Sequence, residues 1–444
     1  MSVSTMSYDA IVVGSGPGGA TVAKELAAKG QKVLMMDWGG DEPIQGSYLQ
    51  AAEMGLVPGK SLLFTYKGLS MVRGITAGGS SILYYATAFE PPLEMLRGYG
   101  VDIEEEVRQV KEELPIAPLK DSLIGPMAKR IMESARELGY DWHPLNKYVY
   151  QDKCRADCDK CNLGCPYGAK WSARMFVDEF KTHTNCRFIA RAKTRKVLVE
   201  NGKAVGVEYS AGGQTQKAYA PVVILGAGGI GTPVILRASG IYAAGYDYFF
   251  DPLICVMGTI PEDLGGREFP MATGAHMSDE GYVMTDMTVP KVAYQGFTAQ
   301  VGRAHKLFSH SRTLQIMIKA KDTLGGKLTD AGGVRKKLIP QDDAKLMKGY
   351  ERAKEILKNT GAKDIYKSWC IAAHPGGTAK IGDIVDPDLK TFKYDNLYVC
   401  DCSVIPEAWG LPPSLTLVAL GKRLASHLAA EPNNEERDSQ AHAA

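Results

Sequence analysis

The stretch YDAIVVGSGPGGATVAKELAAKG, residues 8–30, leaves the start of this chain little choice of fold. Tyr8 to Val13 is an apolar run with β-branched residues, and the segment from Ala20 repeats apolar residues at helical spacing. Between them Gly14, Gly16 and Gly19 stand in the order G-x-G-x-x-G. Gly14 permits a tight turn, Gly16 admits a pyrophosphate to the backbone, and Gly19 lets a helix pack closely on a sheet. The helix amino-terminus then offers unpaired N–H groups and the positive end of its dipole to a phosphate. A second strand, KVLMMD, ends in Asp37, 23 residues after Gly14, where an acid for a ribose hydroxyl belongs. Strand, turn, helix, strand and acid together predict a dinucleotide site in a Rossmann-like α/β domain.

At 444 residues the chain is long enough for two or three domains. A formal net charge of +2 argues against a broad nucleic-acid or acidic-membrane surface. No apolar run approaches the length of a membrane span. The opening residues MSVSTMSYDAIVVG lack the basic region, apolar core and cleavage site of a signal peptide, so they read as a short tail entering a strand. The expected location is cytoplasmic, where thiols stay reduced.

A second glycine-rich turn lies in PVVILGAGGIGTPVILRASGI, where Gly226, Gly228 and Gly231 repeat the same order. The following segment, GIYAAGYDYFFD, does not supply a clear second strand with a ribose-binding acid. The favoured reading is a strand returning to the first domain. A second dinucleotide site for NAD(P) is the alternative.

Three separated segments resemble the glucose–methanol–choline (GMC) oxidoreductase family: the amino-terminal turn, GTPVILRASGI, and the carboxy-terminal HPGGTAKIGDIVDPDLKTFKYDNLYVCDCSVIPEAWGLPPSLTLVALGKRLA. RGITAGGSSILY, residues 73–84, is similar to that family's loop beside the flavin ring. The resemblance implies FAD held in a Rossmann-like domain and a substrate domain built on a sheet. It implies that Gly14, Gly16, Gly19 and Asp37 bind the adenosine and pyrophosphate. Gly78, Gly79, Ser80 and Ser81 would pass near the ring, and Asp401 near the ribityl chain. His374, before its G-G-T turn, would be the catalytic base. Oxidising a carbinol needs a proton taken from oxygen and a hydride taken from carbon, and a histidine with an ordinary pKa of about 6.5 suits the first task. One position departs from the family: where a second histidine or an asparagine is usual, this chain has Pro412, which has no side-chain donor or acceptor. His276, His305, His310, Tyr282 and Tyr294 are the candidate replacements.

Four of the nine cysteines fall in CRADCDKCNLGCPYGAK, as Cys154-x3-Cys158-x2-Cys161-x3-Cys165-Pro166. The last three and the proline resemble part of a bacterial ferredoxin run, so a 4Fe–4S ligand set leads. Zinc more often uses two C-x2-C knuckles, and a reducing compartment disfavours disulfides, but both readings stay open. The other five cysteines read as small buried hydrophobes.

The expected fold is an α/β Rossmann-like FAD domain, discontinuous in sequence, with an α+β substrate domain on an antiparallel sheet and a small cysteine-rich insert. The expected boundaries are 1–90, 171–240 and 365–430 for the FAD domain, and 91–150 and 241–364 for the substrate domain. The insert would span 151–170 and a polar, disordered tail 431–444. The leading function is an FAD-dependent dehydrogenase of a small hydroxyl-bearing substrate, hydrophobic or aromatic, passing electrons through the cluster to a protein or carrier. The alternatives are a reductase or desaturase acting on a C=C or C=O bond, an electron-transfer subunit, and a zinc-stapled binding protein. The oligomeric state is not legible.

Overall fold

The computed structural model describes residues 8–65 and 69–430; the tail expected over 431–444 lies outside them. Two sheets organise the molecule. The first is five-stranded and wholly parallel, in the order Leu397–Val399, Val222–Leu225, Ala10–Val13, Val33–Met36, Arg187–Ile189. Four of these strands are almost continuous apolar runs, as a sheet covered on both faces requires. The strand before the second glycine-rich turn therefore does return to the first domain, pairing Ala10–Val13 with Val222–Leu225. The next strand after that turn, Tyr246–Tyr248, belongs to a different sheet, so no second nucleotide-binding fold is built there.

The helix Pro17–Ala28 starts with proline in its first turn, where a missing N–H costs nothing. It packs against the carboxy-terminal helix Ser414–Ala430. A Cβ on Gly421 would lie 2.7 Å from Thr21 Cβ, so the two helices meet at near backbone distance.

The second sheet has nine strands. Its centre is Thr313–Ala320, buried at every residue and paired antiparallel with Pro252–Thr259 on one side and Tyr282–Asp286 on the other. The helix Pro340–Asn359 covers one face, placing Leu346, Ala353, Ile356 and Leu357 on Ile254, Val256, Ile316 and Ile318. Burying each such side chain contributes roughly 1.5–3 kcal/mol. The expected antiparallel sheet is corrected to a mixed one. Ile371–Ala372 keeps an antiparallel pairing with Pro252–Leu253 on one side but runs parallel to Ser70–Val72 on the other, because that neighbour comes from a distant part of the chain and not through a hairpin. Lys193–Glu200, Lys203–Ala211 and Gln214–Tyr219 form a separate three-stranded antiparallel meander. Among the described residues no helix is long and apolar enough to cross a membrane.

Candidate functional site

The carboxyl ends of the parallel strands gather most of the predicted residues at one crevice, the usual ligand position in an open α/β sheet. Gly14 has φ +95°, and a Cβ there would sit 2.3 Å from Gly226 O. A Cβ on Gly19 would sit 2.2 Å from Gly14 O. Both glycines are needed by the fold itself. Gly16 differs: the space where its Cβ would project is open. It caps the helix Pro17–Ala28 without a side-chain acceptor, leaving first-turn N–H groups for a ligand.

Asp37 is buried at the end of its strand. Its Oδ2 accepts from Ser15 N at 2.9 Å and Ser15 Oγ at 2.7 Å, and its Oδ1 accepts from Gly39 N at 2.7 Å. A carboxylate has about four acceptor positions, so three are used and one remains for a ligand hydroxyl. Burial raises its pKa, opposed by these hydrogen bonds.

The loop carrying Gly78 to Ser81 folds onto the same turn. Gly78 N donates to Ser15 Oγ at 3.1 Å, and a Cβ on Gly79 would touch Gly16 Cα at 3.0 Å. Ser81 points inward, donating to Gly78 O and accepting from Ala173 N, so its work is to shape the loop. Ser80 is exposed, and its Oγ accepts from Gly74 N. Asp401 closes the crevice from the other side, accepting from Gly228 N at 2.8 Å, Ser403 N at 2.8 Å and Thr232 Oγ1. Ser403 Oγ is buried beside it without a protein partner. The open position at Gly16, the unpartnered hydroxyl and the uncapped helix amino-terminus fit a dinucleotide such as FAD.

His374 follows the Ile371–Ala372 strand and adopts φ +43°, a left-handed conformation that costs a non-glycine residue of order 1 kcal/mol or more. Its Nδ1 lies 3.2 Å from Asp251 Oδ2, and no described residue bonds its Nε2. Asp251 is itself left-handed at φ +45° and only 1% exposed. Its second oxygen is buried without a hydrogen bond. The backbone around Asp251 is fixed from behind: Phe250 N and Asp251 N donate to Asp322, which pairs with Lys336 at 2.7 Å. Lys319, 2% exposed on the central strand, places Nζ 3.4 Å from His374 Nδ1 and 4.0 Å from Asp251 Oδ2. Burial pushes Asp251 up to about 7, against the pull of Lys319 and Lys336, and Lys319 down to about 8. Burial first, then the Lys319 charge, hold His374 well below its ordinary value.

Sequence reasoning named His374 but not Asp251 and Lys319, which the structure brings beside it. The candidate replacements for the Pro412 position are engaged elsewhere or stand apart. Tyr282 bonds Glu280 and Arg352, Tyr294 bonds Lys306 O, and His310 bonds Val289 O. His276 stacks edge-on to Phe89, and His305 sits in a short 3-10 turn. The usable signal was the lysine in RTLQIMIKAK, a charge on a strand whose neighbours are all buried.

Cys154, Cys158, Cys161 and Cys165 line one small pocket with Tyr167, Lys170 and Phe269. They do not stand as a preassembled ligand set: among the described residues no three His, Cys, Asp or Glu side chains converge as metal ligands. The sulfurs turn to local backbone, Cys154 toward Arg155 O and Cys165 toward Lys170 N. Burial pushes the Cys154 thiol up to about 11 and the Cys161 thiol up to about 12. Two buried lysines flank the pocket. Lys170 Nζ donates to Ile82 O at 2.7 Å, Tyr84 O at 2.9 Å and Cys161 O. Lys147 Nζ donates to Thr87 Oγ1 and Met271 O.

The GMC oxidoreductase sequence profile matches in two parts, an amino-terminal one over residues 8–254 and a carboxy-terminal one over residues 298–421. An uncharacterized protein of Methanocaldococcus jannaschii is 26% identical over 427 residues, which is 95% of this chain and all of that protein. A long-chain-alcohol oxidase of Arabidopsis thaliana is 23% identical over 97% of this chain and 68% of its own length. Among solved structures, a pyridoxine 4-oxidase from Mesorbium loti superposes with a TM-score of 0.75 at 15% identity, covering 95% of this chain and 99% of that one. A formate oxidase variant of Aspergillus oryzae gives 0.77 at 15% identity, covering 98% and 100%. At such identities these two likenesses speak to the fold alone.

Proposed function

We propose, on the premise that this chain belongs to the GMC oxidoreductase family and is an FAD-dependent oxidoreductase acting on CH–OH donors, that it is a dehydrogenase of a small hydrophobic or aromatic alcohol with His374 as the base. The single observation that carries this reading is the His374–Asp251 contact. A carboxylate on Nδ1 leaves Nε2 with its lone pair free to take the hydroxyl proton. FAD, when bound, supplies the two-electron acceptor for the hydride leaving carbon. Gly16, the Gly78–Gly79 loop, Asp37 and Asp401 would hold it. The test is anaerobic mixing with a panel of alcohols, following flavin absorbance. Bleaching by an apolar alcohol is expected, slowed about 10²–10⁴-fold in His374→Ala. Equal bleaching in that variant removes His374 from the role.

The electron exit is proposed at the cysteine pocket, as an iron–sulfur site toward which Cys154, Cys158, Cys161 and Cys165 would have to turn their sulfurs on binding the group. Two observations support it: all four line one pocket, and Lys170 ties the Cys161 carbonyl to those of Ile82 and Tyr84, directly after the Gly78–Ser81 loop. An iron–sulfur group supplies one-electron steps that link a two-electron flavin to a protein or carrier acceptor. Iron and acid-labile sulfide in anaerobically purified protein are the expected result. Zinc, or neither element, sinks this part while leaving the dehydrogenase reading intact.

A further inference from the structure

Two charged groups, Asp251 and Lys319, meet at His374 Nδ1, and one nitrogen cannot serve both neighbours at once. If Nδ1 carries the proton it donates to Asp251 Oδ2, 3.2 Å away, and Nε2 is the free base. If Nδ1 is bare it accepts from Lys319 Nζ, 3.4 Å away, or from a protonated Asp251, and Nε2 carries the proton and cannot act as a base. The choice between these tautomers depends on whether Asp251 is ionised. Asp251 is fully buried and its Oδ1 has no hydrogen-bond donor, so solvent does little to stabilise its charge. The cation nearest to it is the Lys319 ammonium, held on the most buried strand of the large sheet.

We propose that Lys319 is a positioning residue for the reaction: its charge keeps Asp251 ionised, and the ionised Asp251 in turn fixes His374 in the Nδ1–H tautomer that leaves Nε2 as the base. The inference rests on the proposed role of His374 and names what stands in for the hydroxyl-site partner that Pro412 cannot supply. The substitute is not a second group facing the substrate but a cation behind the base. The other groups around the cluster fit this assignment. Asp322 and Lys336 neutralise each other and grip the backbone of Phe250 and Asp251. Cys402 Sγ reaches only the carbonyl of His374, and burial holds its thiol protonated. His276, two strands away, is disfavoured as a cation by burial and by Lys319 itself. A cation beside the ring also opposes lasting storage of a second proton on it.

The test uses the FAD-loaded enzyme with ¹⁵N-labelled histidine, assigning His374 by its loss in His374→Gln among the eight histidines of the chain. In the wild-type protein at pH 7.5 (roughly one unit above an ordinary imidazole) the expected state is neutral with the proton on Nδ1. A wild-type signal with the proton on Nε2 overturns the proposal without any variant. In Lys319→Met the proton is expected to move to Nε2 as Asp251 becomes protonated. Flavin reduction should fall about 10²-fold at neutral pH, within the range a general base contributes. The sign of the pH effect follows: loss of the cation raises the pKa of Asp251 and of His374 alike, so the acidic limb of the rate profile moves to higher pH, by about one unit or more. Lys319→Arg should restore most of the rate and keep the tautomer. An unchanged tautomer and an unmoved acidic limb in Lys319→Met make Lys319 a structural ion and end the proposal. The two readings fail separately, because unimpaired flavin reduction in His374→Gln removes the base while leaving the tautomer result standing.

Discussion

Two buried charge clusters sit in this molecule, and they are completed differently. At His374 each charge has a partner within contact: Asp251 with Lys319, Asp322 with Lys336. At the cysteine pocket Lys147 and Lys170 are as deeply buried, yet among the described residues neither has a carboxylate at ion-pair distance; both bond neutral carbonyls and, for Lys147, a hydroxyl. The opposite charges near enough to act on them are those of the thiols and, for Lys147, the more distant Asp286, while Lys170 opposes the charge on Lys147. Burying an unpaired ammonium is costly. The first cluster is electrically closed as it stands. The second holds positive charge that thiolates bound to a metal would balance.

The comparison is broken or sharpened most strongly by pairing His374→Ala with Cys161→Ser. The first should stop flavin reduction by substrate, about 10³-fold. The second should leave that half-reaction within about 2-fold and abolish iron content and transfer to an external acceptor. If Cys161→Ser slows bleaching as much as His374→Ala, the two clusters are not separable. Next in size is Gly14→Ala against Gly16→Ala. The first forces a Cβ onto Gly226 O at a positive φ and should lower stability by several kcal/mol, about 3 or more. The second meets open space, so the apo protein should melt within about 0.5 kcal/mol of the wild type while losing FAD on gel filtration. Lys170→Met comes third. It strips the donor from the carbonyls of Ile82, Tyr84 and Cys161, at about 1–3 kcal/mol for each left unpaired, which chemical denaturation reads directly. The smallest effect is expected at Glu268, whose carboxylate caps the helix Pro126–Glu137 through Met127 N and Ala128 N. Glu268→Ala should cost about 1–2 kcal/mol and leave flavin reduction unchanged.

What the sequence disclosed and what it hid divide along chain distance. The nucleotide turn was legible because its demands are local: Gly14, Gly16 and Gly19 lie within six residues, and the strand and helix on either side confirm them. The returning strand was legible for the same reason. The antiparallel expectation for the large sheet failed because a parallel pairing between Ile371–Ala372 and Ser70–Val72 leaves no mark in either short segment. Asp251 and His374 are 123 residues apart, and Lys319 and His374 are 55 apart. No spacing rule joins them; only the registers of Pro252–Thr259 against Thr313–Ala320 and against Ile371–Ala372 do. The four cysteines mark the opposite limit. Their spacing was plain, but whether four sulfurs point at one centre is a property of side-chain direction, and here those of Cys154 and Cys165 turn to neighbouring backbone.

The close seating of the carboxy-terminal segment on the amino-terminal turn bears on how the protein is made. A Cβ on Gly18 would fall 2.2 Å from Cys400 O, Gly421 rests on Thr21, and Leu397–Val399 supplies the outer strand beside Val222–Leu225. The Gly14–Gly19 turn thus waits for a segment far along the chain before its crevice has a second wall. Until then the nascent chain exposes the apolar edge of Val222–Leu225, a surface for chaperones to shield. Cofactor capture belongs after synthesis of Leu397–Val399 and Ser414–Ala430, and a stop codon anywhere before Ser414 should yield a colourless, aggregating product whatever the integrity of its glycine turn.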